Sequence, residues 1–284
     1  MRDLFLKNTI KTCCAIFCIL IAVHSFEAIV LRMDETFFGE NFINKLFGIL
    51  VIGITLHILQ WKWRDIGFSH HGLLRNIAFG TALATAVFAI AYSVEFFVLK
   101  AQSSRVSFGF FATGFSLTDN TEINRGAGFI LMCVFFNIIN VIMEEGTFRG
   151  LFFSIINTDH SRKAAVLIQA LLFGVWHIVT PLHNLIDGDM GIGSFIGLSA
   201  GYIILAGLMG IKWALMYKLT GSLYAGMADH FFNNCIATNL LHLTTETGTD
   251  EMMILRVLIA QLLSFAVVTL IWKKRKNKCL PQSD

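Results

Sequence analysis

Glu144 and Glu145 stand side by side inside a long apolar run, Ala127 to Asn157, with Arg149 four residues beyond Glu145. A later apolar run carries His177, and another carries His230 and Asn234. Side chains of these types exchange protons and bind polar groups. Each is expensive at membrane depth, so a chain that keeps several of them there is most simply read as using them.

The elements that must position them are membrane helices. The chain of 284 residues is 55% hydrophobic and 14% charged, and its mean hydropathy is +0.67. Soluble domains average about 25% charged and about 45–50% apolar residues, so the composition implies an integral membrane protein. A helical span needs roughly 20 mostly apolar residues. Eight segments approach this: Thr12 to Leu31, Leu46 to Leu59, Ile77 to Leu99, Ala127 to Asn157, Ala164 to Val179, Ser194 to Tyr217, Ser222 to Leu241, and Met253 to Trp272. The expected fold class is all-α, a polytopic membrane protein of about eight transmembrane helices. The first span lacks a clear cleavage site and reads as an anchor rather than a removed signal.

Two prolines in the whole chain and no repeat or low-complexity block leave one domain, with three regions in it. Residues 1–126 hold three spans and an outer loop, 127–242 hold the polar residues, and 243–284 hold the last span and a basic tail. In the loop from Lys100 to Gly126, Phe108, Phe110, Phe111 and Phe115 among Ser and Gly suggest a segment lying at the outer interface. The six cysteines fall mostly in apolar stretches without paired metal-site spacing, and Cys279 in the tail is the one expected to be exposed.

Basic residues accumulate in cytoplasmic loops. With the N-terminus inside, fourteen lie inside: Arg2, Lys7, Lys11, Lys62, Arg64, Arg75, Arg162, Lys163, Lys218, Lys273, Lys274, Arg275, Lys276 and Lys278. The opposite loops hold five: Arg32, Lys45, Lys100, Arg105 and Arg125. Arg149, Lys212 and Arg256 fall within spans. The expected location is the cell membrane, multi-pass, with both termini cytoplasmic.

This topology brings the polar residues to one depth. Glu144 precedes the T-D-H-S-R-K turn by about the same number of residues as His177 follows it, which puts both about 20 Å from that turn. His230 and Asn234 follow the next cytoplasmic turn by about 12 and 18 Å and share a helical face. Glu145 and Arg149 have the same i,i+4 relation, so Arg149 is expected to neutralise Glu145 and leave Glu144 to face the histidines. A single intramembrane His or Asn is more often a hydrogen bonder between helices, and Glu27, Glu95, His24 and His57 read that way. Five such residues at one depth reverse that balance and mark a site.

Glu144-Glu145-x-x-x-Arg149, Phe173-x-x-x-His177 and His230-x-x-x-Asn234, in this order on apolar spans, resemble the three motifs of the CAAX protease and bacteriocin-processing family, also called Abi. The resemblance covers Gly128 to Leu241. It implies an intramembrane endopeptidase of eight helices whose active site opens toward the cytoplasmic leaflet. In that family's terms Glu144 is the general base that activates water and His177 helps to hold that water. His230 and Asn234 stabilise the oxyanion, while Glu145, Arg149 and Phe173 order the site or contact substrate. These roles fit the groups, since a carboxylate is a suitable base and an amide or imidazole N–H a suitable oxyanion donor.

Glutamate-activated water without a metal is the preferred mechanism and no cofactor is assigned; if zinc is used, Glu144, His177 and His230 are its ligands. The sequence has no H-E-x-x-H. The implied partners are the lipid bilayer and a membrane-embedded or lipidated peptide or protein, with no nucleic acid. The alternative is a non-proteolytic immunity or scaffold protein on the same fold. A transporter would show inverted repeats or broken helices in both halves, and none is seen. Five residues follow Cys279, so the tail is not itself a C-a-a-X box.

Overall fold

The computed structural model describes residues 2–102, 105–113 and 125–278. After a short helical stretch, Arg2–Lys7, the main helices are α1 (Thr9–Phe26), α2 (Ile43–Leu59), α3 (Leu73–Gln102), α4 (Ala127–Glu144) and α5 (Arg162–Trp176). They continue as α6 (Val179–Ile186), α7 (Ile192–Thr220), α8 (Tyr224–Phe231) and α9 (Met253–Lys278). Three of them run on into π-helix: α1 through Glu27–Leu31, α4 through Glu145–Phe152, and α8 through Phe232–Leu240.

Among the described residues six helical segments are long and apolar enough to cross a membrane: Thr9–Glu35, Leu73–Gln102, Ala127–Ile156, Arg162–Ile186, Ile192–Thr220 and Met253–Lys276. The protein is an integral, multi-pass helical membrane protein. The other two expected spans are shorter helices, α2 with 17 residues and α8, whose 8 residues continue into 9 of π-helix.

The helices show apolar residues to the outside and bury polar ones beside an apolar core. Along α4, Leu131, Phe135 and Ile138 face outward, while Asn137, Asn140 and Glu144 are buried. Lipid is as apolar as leucine, so polar groups gain by meeting one another inside the bundle. Small residues let the backbones close up. A Cβ on Gly80 would stand 2.1 Å from the Ala225 carbonyl oxygen, and one on Gly174 would stand 2.6 Å from that of Ile203. These contacts seat α3 on α8 and α5 on α7.

Buried charges outside the motifs are paired. Glu27 accepts bonds from the Ile43 and Asn44 backbone N–H groups at 2.7 and 2.6 Å, and so caps the positive N-terminus of α2. Arg256, fully buried, reaches Glu95 and Asp250 at 3.0 Å each, and Asp250 holds His242 at 2.5 Å. The His24 ring packs on Trp176 with centroids 4.3 Å apart.

One element departs from all-helix. Strand β1 (Ser107–Phe110) pairs antiparallel with β2 (Leu241–Thr244), Ser107 opposite Thr244. It lies in the segment expected at the outer interface, where Phe108 and Phe110 are exposed while Phe111 is buried and stacks on His242. Phe115 falls outside the described residues. Cys18 is exposed on α1, which corrects the expectation that only Cys279 would be; the thiol is apolar enough for a lipid-facing position. Cys279 also lies outside the described residues.

Candidate active site

Glu144, the last residue of α4, and Trp176, the last of α5, meet across the helix pair: the Trp176 Nε1–H donates to Glu144 Oε1 at 3.1 Å. Glu144 Oε2 is buried with no hydrogen-bond partner and stands 3.4 Å from His230 Nε2. His177 follows the end of α5, where its Nδ1–H donates to the Phe173 carbonyl at 2.8 Å. That bond sets the tautomer and leaves Nε2 as an acceptor.

A chain of hydrogen bonds fixes the other residues. Lys212 can only donate. Its Nζ donates to Gln261 Oε1 at 2.6 Å, and Gln261 Nε2 then donates to Asn233 Oδ1 at 2.8 Å. Asn233 Nδ2 donates to Asn234 Oδ1 at 2.7 Å, and Asn234 Nδ2 meets His230 Nε2 at 3.1 Å. Because the Asn234 nitrogen must donate, His230 Nε2 accepts, and the imidazole proton sits on Nδ1, facing Glu145 Oε1 at 3.0 Å. Every member has one consistent orientation, set from the ammonium at one end.

The His230 ring is clamped by Trp213, stacked 4.0 Å away at 16°. Asp229 accepts from the Trp213 indole N–H at 2.7 Å and from Lys212 at 2.5 Å. Arg149 Nη2 lies 3.1 Å from Glu145 Oε1, both residues fully buried or nearly so. None of the guanidinium N–H groups meets hydrogen-bond geometry there; the plane instead sits 3.8 Å from the Phe173 ring centre and 4.7 Å from that of Trp213. The pair is held by charge and by cation–π contact.

Glu144, Phe173, His177, His230 and Asn234 line one cavity of about 510 Å³, whereas Glu145 and Arg149 lie outside its lining. The structure thus brings together the residues singled out by their depth. It differs on one point: Glu145 is shared between Arg149 and His230 Nδ1, while Glu144 Oε2 stands 3.4 Å from the accepting His230 Nε2 without a hydrogen bond between them. Sequence reasoning missed Trp176, Trp213, Asp229, Asn233 and Gln261. Lys212, an unexplained charge inside a span, was the one available signal for that group.

The zinc set fits poorly. Both His230 nitrogens are engaged, and the ligand atoms of Glu144, His177 and His230 do not gather within the reach of one ion. Glu35, His183 and Asp187 do so at the protein's rim, but the Arg32 guanidinium already bridges Glu35 and Asp187.

Among the described residues, the lining of the cavity reaches one end of the bundle. Its outer lining comes from residues 34–41, from Ala112 and Thr113, and from His183 to Asp189. None comes from the far end, where Thr9 bonds Asp159 at 2.5 Å and the Leu223 N–H bonds Gly67 O at 3.0 Å.

Such a bundle, with a polar cavity at bilayer depth behind an apolar outer face, defines a multi-pass membrane protein with an internal site. Residues 126–236, from just before α4 to just past Asn234, match the family model described as type II CAAX prenyl endopeptidase Rce1-like. This is the CAAX-protease family that the three motifs resemble, a family of membrane endopeptidases. No curated protein matches the chain.

Proposed function

We propose that the protein is an intramembrane endopeptidase that hydrolyses a peptide bond in a membrane-associated or lipid-modified peptide or protein, with Glu144 as general base. The observation that carries this reading is the unpartnered, buried Oε2 of Glu144 in the same cavity as the free Nε2 acceptor of His177. A water donating one proton to each would turn a lone pair toward a substrate carbonyl. Glu144 takes the proton as the carbon–oxygen bond forms and returns it to the leaving amine. Trp176 keeps the carboxylate from rotating away.

The oxyanion falls to Asn234. One of its amide protons is directed at His230 Nε2, and the other is free for the substrate. His230, an acceptor at Nε2, orients that amide rather than donating to the oxyanion itself. Glu145 and Arg149 hold His230 in that tautomer from behind.

The test is cleavage of a membrane-anchored peptide by the purified chain in lipid, with and without a chelator. A glutamate-only site keeps its rate in chelator; loss of activity that returns on adding zinc overturns the metal-free mechanism. The termini are proposed to be cytoplasmic, supported by the fourteen-to-five division of basic residues. Reporter fusions to the C-terminal tail and after Glu246 should then give opposite readings, and identical readings would refute the scheme.

A further inference from the structure

The cavity mouth lies at the end of the bundle opposite the basic loops. Among the described residues its lining carries five carboxylates toward that end besides Glu144: Asp34, Glu35, Glu40, Asp187 and Asp189. Against them stand Lys45 in the lining, Arg32 bridging Glu35 and Asp187, and the imidazoles of His183 and His24. Carboxylates remain in excess after every pairing. Asp34 and Asp189 are exposed, so their charge reaches solvent.

Glu40 supplies the independent pointer to a ligand. It is 6% exposed and lines the cavity; its Oε1 is 3.4 Å from Lys45 Nζ, while its Oε2 is buried without any partner. A buried carboxylate oxygen with no donor awaits one. Depth agrees with the position of the mouth. Glu144 stands about 20 Å from the basic turn, which leaves only about 10 Å of a roughly 30 Å hydrocarbon core between it and the acidic end.

We infer that the cavity is entered from the extracytoplasmic face and takes a peptide bearing Lys or Arg beside the scissile bond, a donor of which meets Glu40 Oε2. This rests on the endopeptidase reading for what happens to the peptide, but not for how it is bound. It also departs from the inward-opening site that the family resemblance implied. The acidic rim would draw a basic segment off the membrane surface and lead it toward Glu144. An acidic segment would be repelled there.

Two measurements on the full chain test the inference. In intact cells, a membrane-impermeant maleimide should label Asp189→Cys above the background of the native cysteines, and should label Lys163→Cys only after permeabilisation. The reverse pattern overturns entry from outside. In liposomes, the Glu144→Gln protein, which binds without cleaving, should hold a fluorescent Lys-flanked peptide about tenfold tighter than its Glu-flanked counterpart, with the gap closing as salt rises. The exposed substitutions Asp34→Asn and Asp189→Asn should narrow the gap without touching the fold, and Glu40→Gln should narrow it further. Equal affinity for the two peptides refutes the charge selection. Since both assays read labelling or binding, their failure leaves the base assignment of Glu144 standing, and failure of that assignment leaves them intact.

Discussion

Glu144→Gln should abolish cleavage while leaving the protein expressed and folded. The amide keeps the size of the carboxylate, and its oxygen still accepts the Trp176 indole N–H that Glu144 Oε1 accepts at 3.1 Å. What disappears is the proton acceptor at Oε2, the buried atom with no partner of its own. Removing a general base typically costs about 10² to 10⁴ in rate. The measurement is processing of a membrane-anchored precursor alongside a melting curve in detergent. A non-proteolytic immunity or scaffold protein would keep its cellular phenotype with this substitution. Full processing by the variant would remove Glu144 from the role of base.

The second large effect is expected behind the cavity wall. Arg149→Ala strands Glu145 as a buried charge, and Glu145→Ala strands Arg149. Breaking a buried pair from one side costs about 3–5 kcal/mol, and the double substitution should cost less than the two losses added. Stability of the three variants in detergent checks this, and strictly additive losses would show that the pair is uncoupled. The two single variants should differ in activity, however. Glu145 also accepts the His230 Nδ1 proton at 3.0 Å, so Glu145→Ala releases the tautomer that orients Asn234. Arg149→Lys should restore only part of the stability, since an ammonium lacks the planar guanidinium whose carbon stands 3.8 Å from the Phe173 ring centre and 4.7 Å from that of Trp213.

The convergence of Glu144, His177, His230 and Asn234 could be read from the chain because helix rise is constant and the turns are marked by charge. Counting from two turns gave depth, and i,i+4 spacing gave the shared face. Which way each ring and amide points could not be read. That depends on partners far away in sequence, such as Gln261, whose contact with Asn233 spans α9 and the residues after α8. Glu145 was assigned to Arg149 by spacing alone, and its second bond, to His230, crosses between helices and leaves no periodic trace. The strand pair was equally hidden, because β1 and β2 are four residues each and lie far apart in the chain. The end toward which the cavity lining extends emerges only once segments 34–41 and 183–189, far apart in the chain, are seen to share that lining.

Two of the three π-helical segments begin at Glu145 and Phe232, inside the first and third motifs. In such a segment each turn carries more residues than an α-turn, because the bonds run from i to i+5. Each segment therefore acts as a phase shifter between the half of a helix that carries the motif and the half that packs against its neighbours. A substitution leaves that phase alone. Losing one residue inside Glu145–Phe152 would convert the wide turn to α-helix and roughly hold the phase, but losing or gaining one with the π-turn kept would swing Glu144 by about 100° relative to Phe153–Ile156. Drift in this protein is thus constrained more tightly in length than in composition across these two stretches.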